Sequence, residues 1–480
     1  MTENGYLNSF VEDRESKKEY RDSGFTDDYD NEESRNSEHI VPEPQVHNGK
    51  INSFNISSST DQFTEKEKSN SIKFFTLNEL ICIINILSST LGGGAFVFPY
   101  IIYEVGILTS LFIFIFVSIT VYYSLDLLRR FVVDSKLFSF SHIVQATLGN
   151  LWQKIYGISS FLFYMSCIVN YLVFLFKYME SMVDFFREGW GKFLFFSISY
   201  IIEVVLCIFT NKVSKIHYLS LIVVSLFFII LIVLIIKSII LFNSGDFQSF
   251  SLFTIKDKNN KFTTWTSFLY INAKIIEFFY GFIYHSSFPT LLSVLDNISN
   301  NNTKKIQFFS YLLLIIIYII FSFFGCGFYD EKSDLLFENN IDISNNVLEY
   351  MFKCILILFF LNLIPIRYIV IRDNYTSIMR VENLPLKYEI LITAICLFIT
   401  NLIVYLTGER DSFISQLTHY FGGALGVFIS FVLPVLSYIF INGKTKLRAI
   451  FGYIIVSMFI FIGFFSIFYN FQSEDDGMSV

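Results

Sequence analysis

Asn85-Ile-Leu-Ser-Ser-Thr-Leu-Gly-Gly-Gly-Ala-Phe-Val-Phe-Pro-Tyr100 is the stretch on which the reading of this chain turns. It lies in an apolar run long enough to cross a bilayer, yet it carries three successive glycines at 92 to 94. Inside a helix each would cost about 1 kcal/mol against alanine. A span built as one continuous helix would not contain them. A second irregular stretch, Gly281-Phe-Ile-Tyr-His-Ser-Ser-Phe-Pro289, falls in the sixth apolar window. In hydrocarbon, backbone groups freed by a break are tolerated only where they face protein or a polar cavity. Broken helices at matching places, the first and the sixth, point to two inverted five-helix repeats around a site at mid-depth. The plainer alternative is a glycine packing face in the first window and a proline kink in the sixth.

A helix needs roughly 20 apolar residues to cross the hydrocarbon. Windows of that kind fall near 79–102, 106–131, 152–177, 192–210, 217–241, 267–290, 306–328, 350–372, 386–407, 414–441 and 448–470. The expected fold is therefore all-α and polytopic, with about 11 transmembrane helices: the five-plus-five repeat and one extra helix. Composition agrees, since 53% hydrophobic and 16% charged residues with a mean hydropathy of +0.54 are too apolar for a soluble chain of this length.

Charge divides the chain near Ser71. Residues 1–70 hold sixteen acids and eight bases, and a Ser-, Asn- and acid-rich composition without periodicity is expected to stay disordered. Residues 71–472 form the expected transmembrane domain and 473–480 a short acidic C-terminus. The membrane part is nearly neutral, with 26 acids and 27 bases after residue 70, so no nucleic-acid surface is expected. The tail has no basic region followed by an apolar core, so the first span is expected to act as the targeting signal. Alternate connecting loops carry fifteen and nine Lys and Arg, which puts the N-terminal tail in the cytosol and Val480 on the other side. The six cysteines are scattered without metal-ligand spacing and read as small core residues. No nucleophile with its base, no phosphate loop and no metal cluster stands out, so neither an enzyme nor a bound cofactor is expected.

The segment Asn85 to Tyr100, followed by Gly106 and Tyr123-Ser-Leu-Asp-Leu-Leu128, resembles the opening of the amino acid/auxin permease family of transmembrane amino acid transporters. His285-Ser-Ser-Phe-Pro289, Ile364-Pro-Ile-Arg367 and Gly422-Gly-Ala-Leu-Gly-Val-Phe-Ile-Ser-Phe-Val-Leu-Pro434 continue the resemblance in order. It covers about residues 76 to 470 and implies a leucine-transporter-like fold that carries amino acids, coupled to protons or sodium.

In such a protein, N–H groups at Gly92, Gly93 and Gly94, at the start of the second half-helix, suit a substrate carboxylate. Carbonyls around Ser89, Thr90 and Leu91 suit its ammonium. Phe282, Tyr284 and Tyr164 are candidate pocket walls. Charged groups within spans are costly, so Glu203, Lys274, Glu277, Lys353 and His285 need explanations. Lys274 and Glu277, three apart on one helix face, suit mutual neutralisation. Glu203 and His285 are candidate proton carriers, each set against a structural hydrogen-bonding role. Arg367 stands at the family's Pro-x-Arg, near the cytosolic end of its span, as a gate or anchor. The sodium-coupled branch supplies an Asn in the first span and hydroxyls in the eighth. Here Ser88 occupies the first position, and Cys354 to Ile364 contain no Ser or Thr, which favours H+ over Na+ as the co-ion. The expected function is secondary active amino acid transport, in a plasma membrane or a vacuolar or lysosomal-type membrane. Alternatives are a sodium-coupled symporter, a transporter of another small solute such as an amine, and a sensor whose tail contacts cytosolic signalling or trafficking partners.

Overall fold

The computed structural model describes residues 75–186, 189–210, 213–244, 264–329, 346–379, 385–407, 416, 418–442 and 447–475. The N-terminal tail and residues 476–480 lie outside them. In the first apolar window the chain forms α1 (Leu77–Thr90) and α2 (Gly93–Val105), bent by 60° at the glycines. Thr76 starts α1 with a reciprocal cap: its hydroxyl accepts from the Glu79 amide, and the Glu79 carboxylate accepts from the Thr76 amide. Gly106, at φ 83°, turns the chain into α3 (Ile107–Ser135), a left-handed conformation that glycine adopts without steric penalty.

A nine-residue helix, α4 (Phe140–Leu148), follows in the segment between two expected spans, and then α5 (Asn150–Met182), α6 (Gly189–Phe209) and α7 (Val213–Ser244). In the sixth window α8 (Thr264–Tyr280) gives way to seven irregular residues before the five-residue α9 (Phe288–Leu292). α10 (Asn300–Cys326), α11 (Asn346–Met379) and α12 (Leu386–Thr407) are continuous. The Gly422–Pro434 region is wound wide, as π-helix over Thr418–Gly426 and Phe428–Val432, before α13 (Leu433–Asn442) and α14 (Leu447–Asp475). Among the described residues nine helices are long and apolar enough to cross a membrane, or ten if the bent α1–α2 pair is one span. α8, at 17 residues, falls short of that test because the second break cuts its window in two. α14 runs to Asp475 and so takes in the first residues of the acidic C-terminal segment.

α11 packs along α5 and α7, α10 against α2, and α14 against α8. At the end of the bundle where α1 begins, Asn78 donates to both Asp296 carboxylate oxygens at 2.9 and 2.8 Å, and Lys305 pairs with Glu79 at 3.3 Å. Arg129, fully buried, joins Asp126 at 2.7 Å and donates to Asn300 and Thr303 at the start of α10. At the opposite end the expected Lys274–Glu277 pair has a third member. Lys274, 3% exposed, lies 2.7 Å from Glu104 at the end of α2 and 3.1 Å from Glu277, with its ammonium over the rings of Tyr100 and Tyr270. The charge that the sequence balanced within one helix therefore clamps two broken spans together. Lys353 is paired with Glu349 at 2.7 Å. Cys354 is exposed, which corrects its reading as a core residue; the other five cysteines are buried.

Candidate functional site

The two breaks meet. A Cβ placed on Gly94 would lie 2.6 Å from Cα and 3.0 Å from N of Gly281, so the first and second broken spans cross backbone against backbone. Glycine is required on the approach because any side chain would separate the two chains. Breaking a helix frees carbonyls that water satisfies in solution and that need another donor here. One hydroxyl supplies it: the single O–H of Tyr318 in α10 is shared between the carbonyl of Thr90 at 3.0 Å and that of Gly281 at 2.9 Å. Neither Tyr318 nor its role is legible from local sequence, since the contacts span 228 and 37 residues.

Gly92 and Gly93 both approach Tyr171, the first at its hydroxyl and the second at its ring. A Cβ on Gly92 would land on the Tyr171 hydroxyl and come within 3.2 Å of an Arg367 terminal nitrogen. One on Gly93 would come within 3.1 Å of the Phe174 ring. Gly94 alone faces the second break. Arg367 Nε donates to the Tyr171 hydroxyl at 3.0 Å, and the guanidinium lies 6.0 Å from the ring centre of Tyr164 and 5.9 Å from that of Tyr171. The sequence put Arg367 near the end of its span, but α11 continues to Met379, about three turns further. Arg367 thus stands deep in the bundle, level with the first break.

The remaining candidates divide. Ser89 and Thr90 turn their hydroxyls back to the Ile86 carbonyl at 2.9 and 2.7 Å, leaving backbone as the polar surface they offer. Tyr164 adjoins Arg367. Phe282 instead packs among Phe98, Phe114 and Tyr318, and Tyr284 against Phe288. His285 lies in the second break, fully buried, and neither ring nitrogen has a hydrogen-bond partner among the described residues. Glu203 is elsewhere: from α6 it accepts from Ser199 in its own helix and from Asn401 of α12 at 2.8 Å. It bonds across that helix pair, from α6 to α12. Beside the second break, the Tyr280 hydroxyl accepts from Asn170 at 3.2 Å and donates to the Cys167 sulfur. Gly422 and Gly426 of the wide helix approach Tyr280 and Ile283 closely. Among the described residues no group of three His, Cys, Asp or Glu side chains is placed to hold a metal ion.

Comparison with known proteins places this arrangement. A manganese transporter of Eremococcus coleocola, in complex with an aromatic bis-isothiourea substituted compound, superposes with a TM-score of 0.56 at 14% identity, over 82% of this chain and 87% of that one. Two mutants of the same transporter superpose at 0.51 and 0.50, with 13% and 14% identity, each over 80% of this chain and 84% of theirs. At such identity the likeness carries the fold alone, which is leucine-transporter-like and all-helical, as the paired breaks predict. No curated protein matches the chain. The family model for transmembrane amino acid transporter proteins matches residues 78–473, which takes in both breaks, Tyr171, Tyr318 and Arg367. Family and fold point to a transporter and not to an enzyme: the chain, a multi-pass integral membrane protein, belongs to the transmembrane amino acid transporter protein family.

Proposed function

We propose that the protein is a proton-coupled secondary active transporter of amino acids that works by alternating access, with its substrate held where α1–α2 meets α8–α9. The observation that carries this reading is the crossing of Gly94 on Gly281, with the Tyr318 hydroxyl spanning the two freed carbonyls. A joint of non-helical backbone at one point of both spans lets half-helices rotate on either side without losing hydrogen bonds within each half. Backbone N–H groups at the start of α2 favour a carboxylate, and carbonyls at the end of α1 favour an ammonium. Such a site reads the part common to all amino acids.

The choice of proton rests on which oxygens are free. Sodium needs several hard oxygen ligands. The Ser88 hydroxyl is engaged with the Asn85 carbonyl at 3.0 Å and with Ser220 at 2.8 Å. The stretch of α11 from Cys354 to Ile364 offers no hydroxyl. His285, buried in the second break with neither ring nitrogen partnered among the described residues, is the better placed of the two proposed proton carriers, since Glu203 is bonded across α6 and α12. A proton falling through about 100 mV gains roughly 2.3 kcal/mol, enough for more than tenfold accumulation.

The test is uptake of a radiolabelled amino acid panel into vesicles reconstituted with the full chain. Replacing sodium by choline is expected to leave uptake within about twofold, and a protonophore to abolish accumulation. A strict sodium requirement would overturn the coupling. Saturable binding without accumulation would identify a sensor instead.

Orientation follows from the basic loops. With tags at both ends, protease is expected to reach the Val480 end from outside sealed cells or organelles inverted to expose their lumen, and the N-terminal tag only from the cytosolic face. Both tags on one side would require an even number of spans and exclude this topology.

A further inference from the structure

Arg367 presents an imbalance that neither the crossing of the spans nor the proposed coupling uses. Its residue is 6% exposed and lies deep in the bundle, where an unpaired cation is costly. Among the described residues the other buried cations have carboxylates: Arg129 has Asp126, Lys274 has Glu104 and Glu277, and Lys353 has Glu349. Arg367 pairs with no carboxylate among the described residues. Only Nε is spent, on the Tyr171 hydroxyl, and the two terminal nitrogens have no hydrogen-bond partner there. Those nitrogens form the fork that matches a carboxylate's two oxygens.

The guanidinium also points to a place. Its terminal nitrogen lies 3.2 Å from where a Cβ on Gly92 would be, beside the start of α2. A 13-residue helix beginning at Gly93, with no side-chain cap at Gly92, turns its positive end toward the same spot. Two independent sources of positive potential therefore converge on one small volume. The rings of Tyr164 and Tyr171 lie against the guanidinium, which steadies the cation without neutralising it.

We propose that the Arg367 guanidinium, acting with the Gly92–Gly93 end of α2, is the ligand for the substrate's carboxylate, and that its uncompensated charge makes the site one for neutral amino acids and against cationic ones. This rests on the amino acid reading above. A zwitterion brings one carboxylate to the guanidinium, and the buried charge becomes paired. A lysine-like substrate would add a second cation to a region that already holds one and lacks an acid to receive it. A Gly92-bound carboxylate without Arg367 would not discriminate in this way, so the two contributions separate by experiment.

Binding to the full chain in lipid nanodiscs tests this, using the neutral amino acid bound most tightly by the unaltered protein and, in competition, its carboxamide. The unaltered chain is expected to prefer the acid by at least about tenfold, as for a charged hydrogen-bonded pair. Arg367→Gln is expected to weaken the acid by at least about tenfold and the carboxamide by less than about twofold, so that the preference collapses. Arg367→Lys keeps the charge but not the fork and is expected to fall between. In the unaltered protein lysine is expected to bind at least about tenfold more weakly than norleucine, its neutral counterpart. Arg367→Gln that binds the acid normally and still rejects the carboxamide overturns the assignment, as does lysine binding as tightly as norleucine. If Arg367→Gln does not assemble, Arg367→Lys decides: unchanged affinity overturns the proposal and a weakened acid supports it. If the unaltered chain binds no amino acid at all, the amino acid reading itself falls, and this inference with it.

Discussion

Gly94→Ala is expected to lower the stability of the folded protein by about 3 kcal/mol, the upper range for overpacking a filled interior. The new methyl would sit 2.6 Å from the Gly281 Cα, against backbone that no rotamer change can move. Relief requires the two broken spans to separate, and Tyr318, which donates to the Thr90 and Gly281 carbonyls, would lose one or both bonds as they did. Gly93→Ala provides the control. Its methyl meets the Phe174 ring at 3.1 Å, a contact that a small ring shift relieves, so its melting temperature is expected to stay close to the original. Uptake by Gly93→Ala is nonetheless expected to fall several-fold, because the methyl narrows the approach to the α2 amides. Melting temperature, surface amount and uptake measured together separate the two effects. Normal melting of Gly94→Ala would show that the breaks do not cross as described, and equal damage from both substitutions would favour a shared packing role for the glycines.

The second large effect is expected at the far end of the same spans. Lys274→Met removes the cation that Glu104 of α2 and Glu277 of α8 share, at 2.7 and 3.1 Å. Deleting one partner from a buried ion pair costs roughly 3–5 kcal/mol, because the remaining charge stays desolvated. The expected readout is a large fall in melting temperature and in correctly delivered protein. Adding Glu104→Gln is expected to recover part of the loss, since an amide in place of the carboxylate removes one orphaned charge. A double-mutant cycle measures that coupling. If Lys274→Met melts like the parent, the cluster does not hold α2 to α8, and the end of the bundle opposite Asn78 is fastened by other contacts.

The sequence by itself determined the helical class, the apolar windows and both breaks, because these depend on chemistry within a few residues. Three glycines in a row at 92 to 94, and Gly281 with Pro289 eight residues later in the window, oppose continuous helix wherever the chain places them. The order of motifs was also legible, and with it the family. The pairing of distant side chains was not. Lys274 and Glu277 are visible as neighbours on one helix, but Glu104 enters only because α2 folds against α8. Cys354 reads as apolar-segment core, yet its face of α11 is exposed. Arg367 reads as a residue near a helix end; its place beside Gly92 follows from where α11 continues and from a contact with Tyr171 that spans 196 residues. Glu203 and His285 looked equivalent as buried titratable groups, and the tertiary structure put one between α6 and α12 and the other in the second break. Helical periodicity states which residues share a face. Which face meets which is set by packing across the whole bundle, and that is where the breaks became one joint and Arg367 came to lie against it.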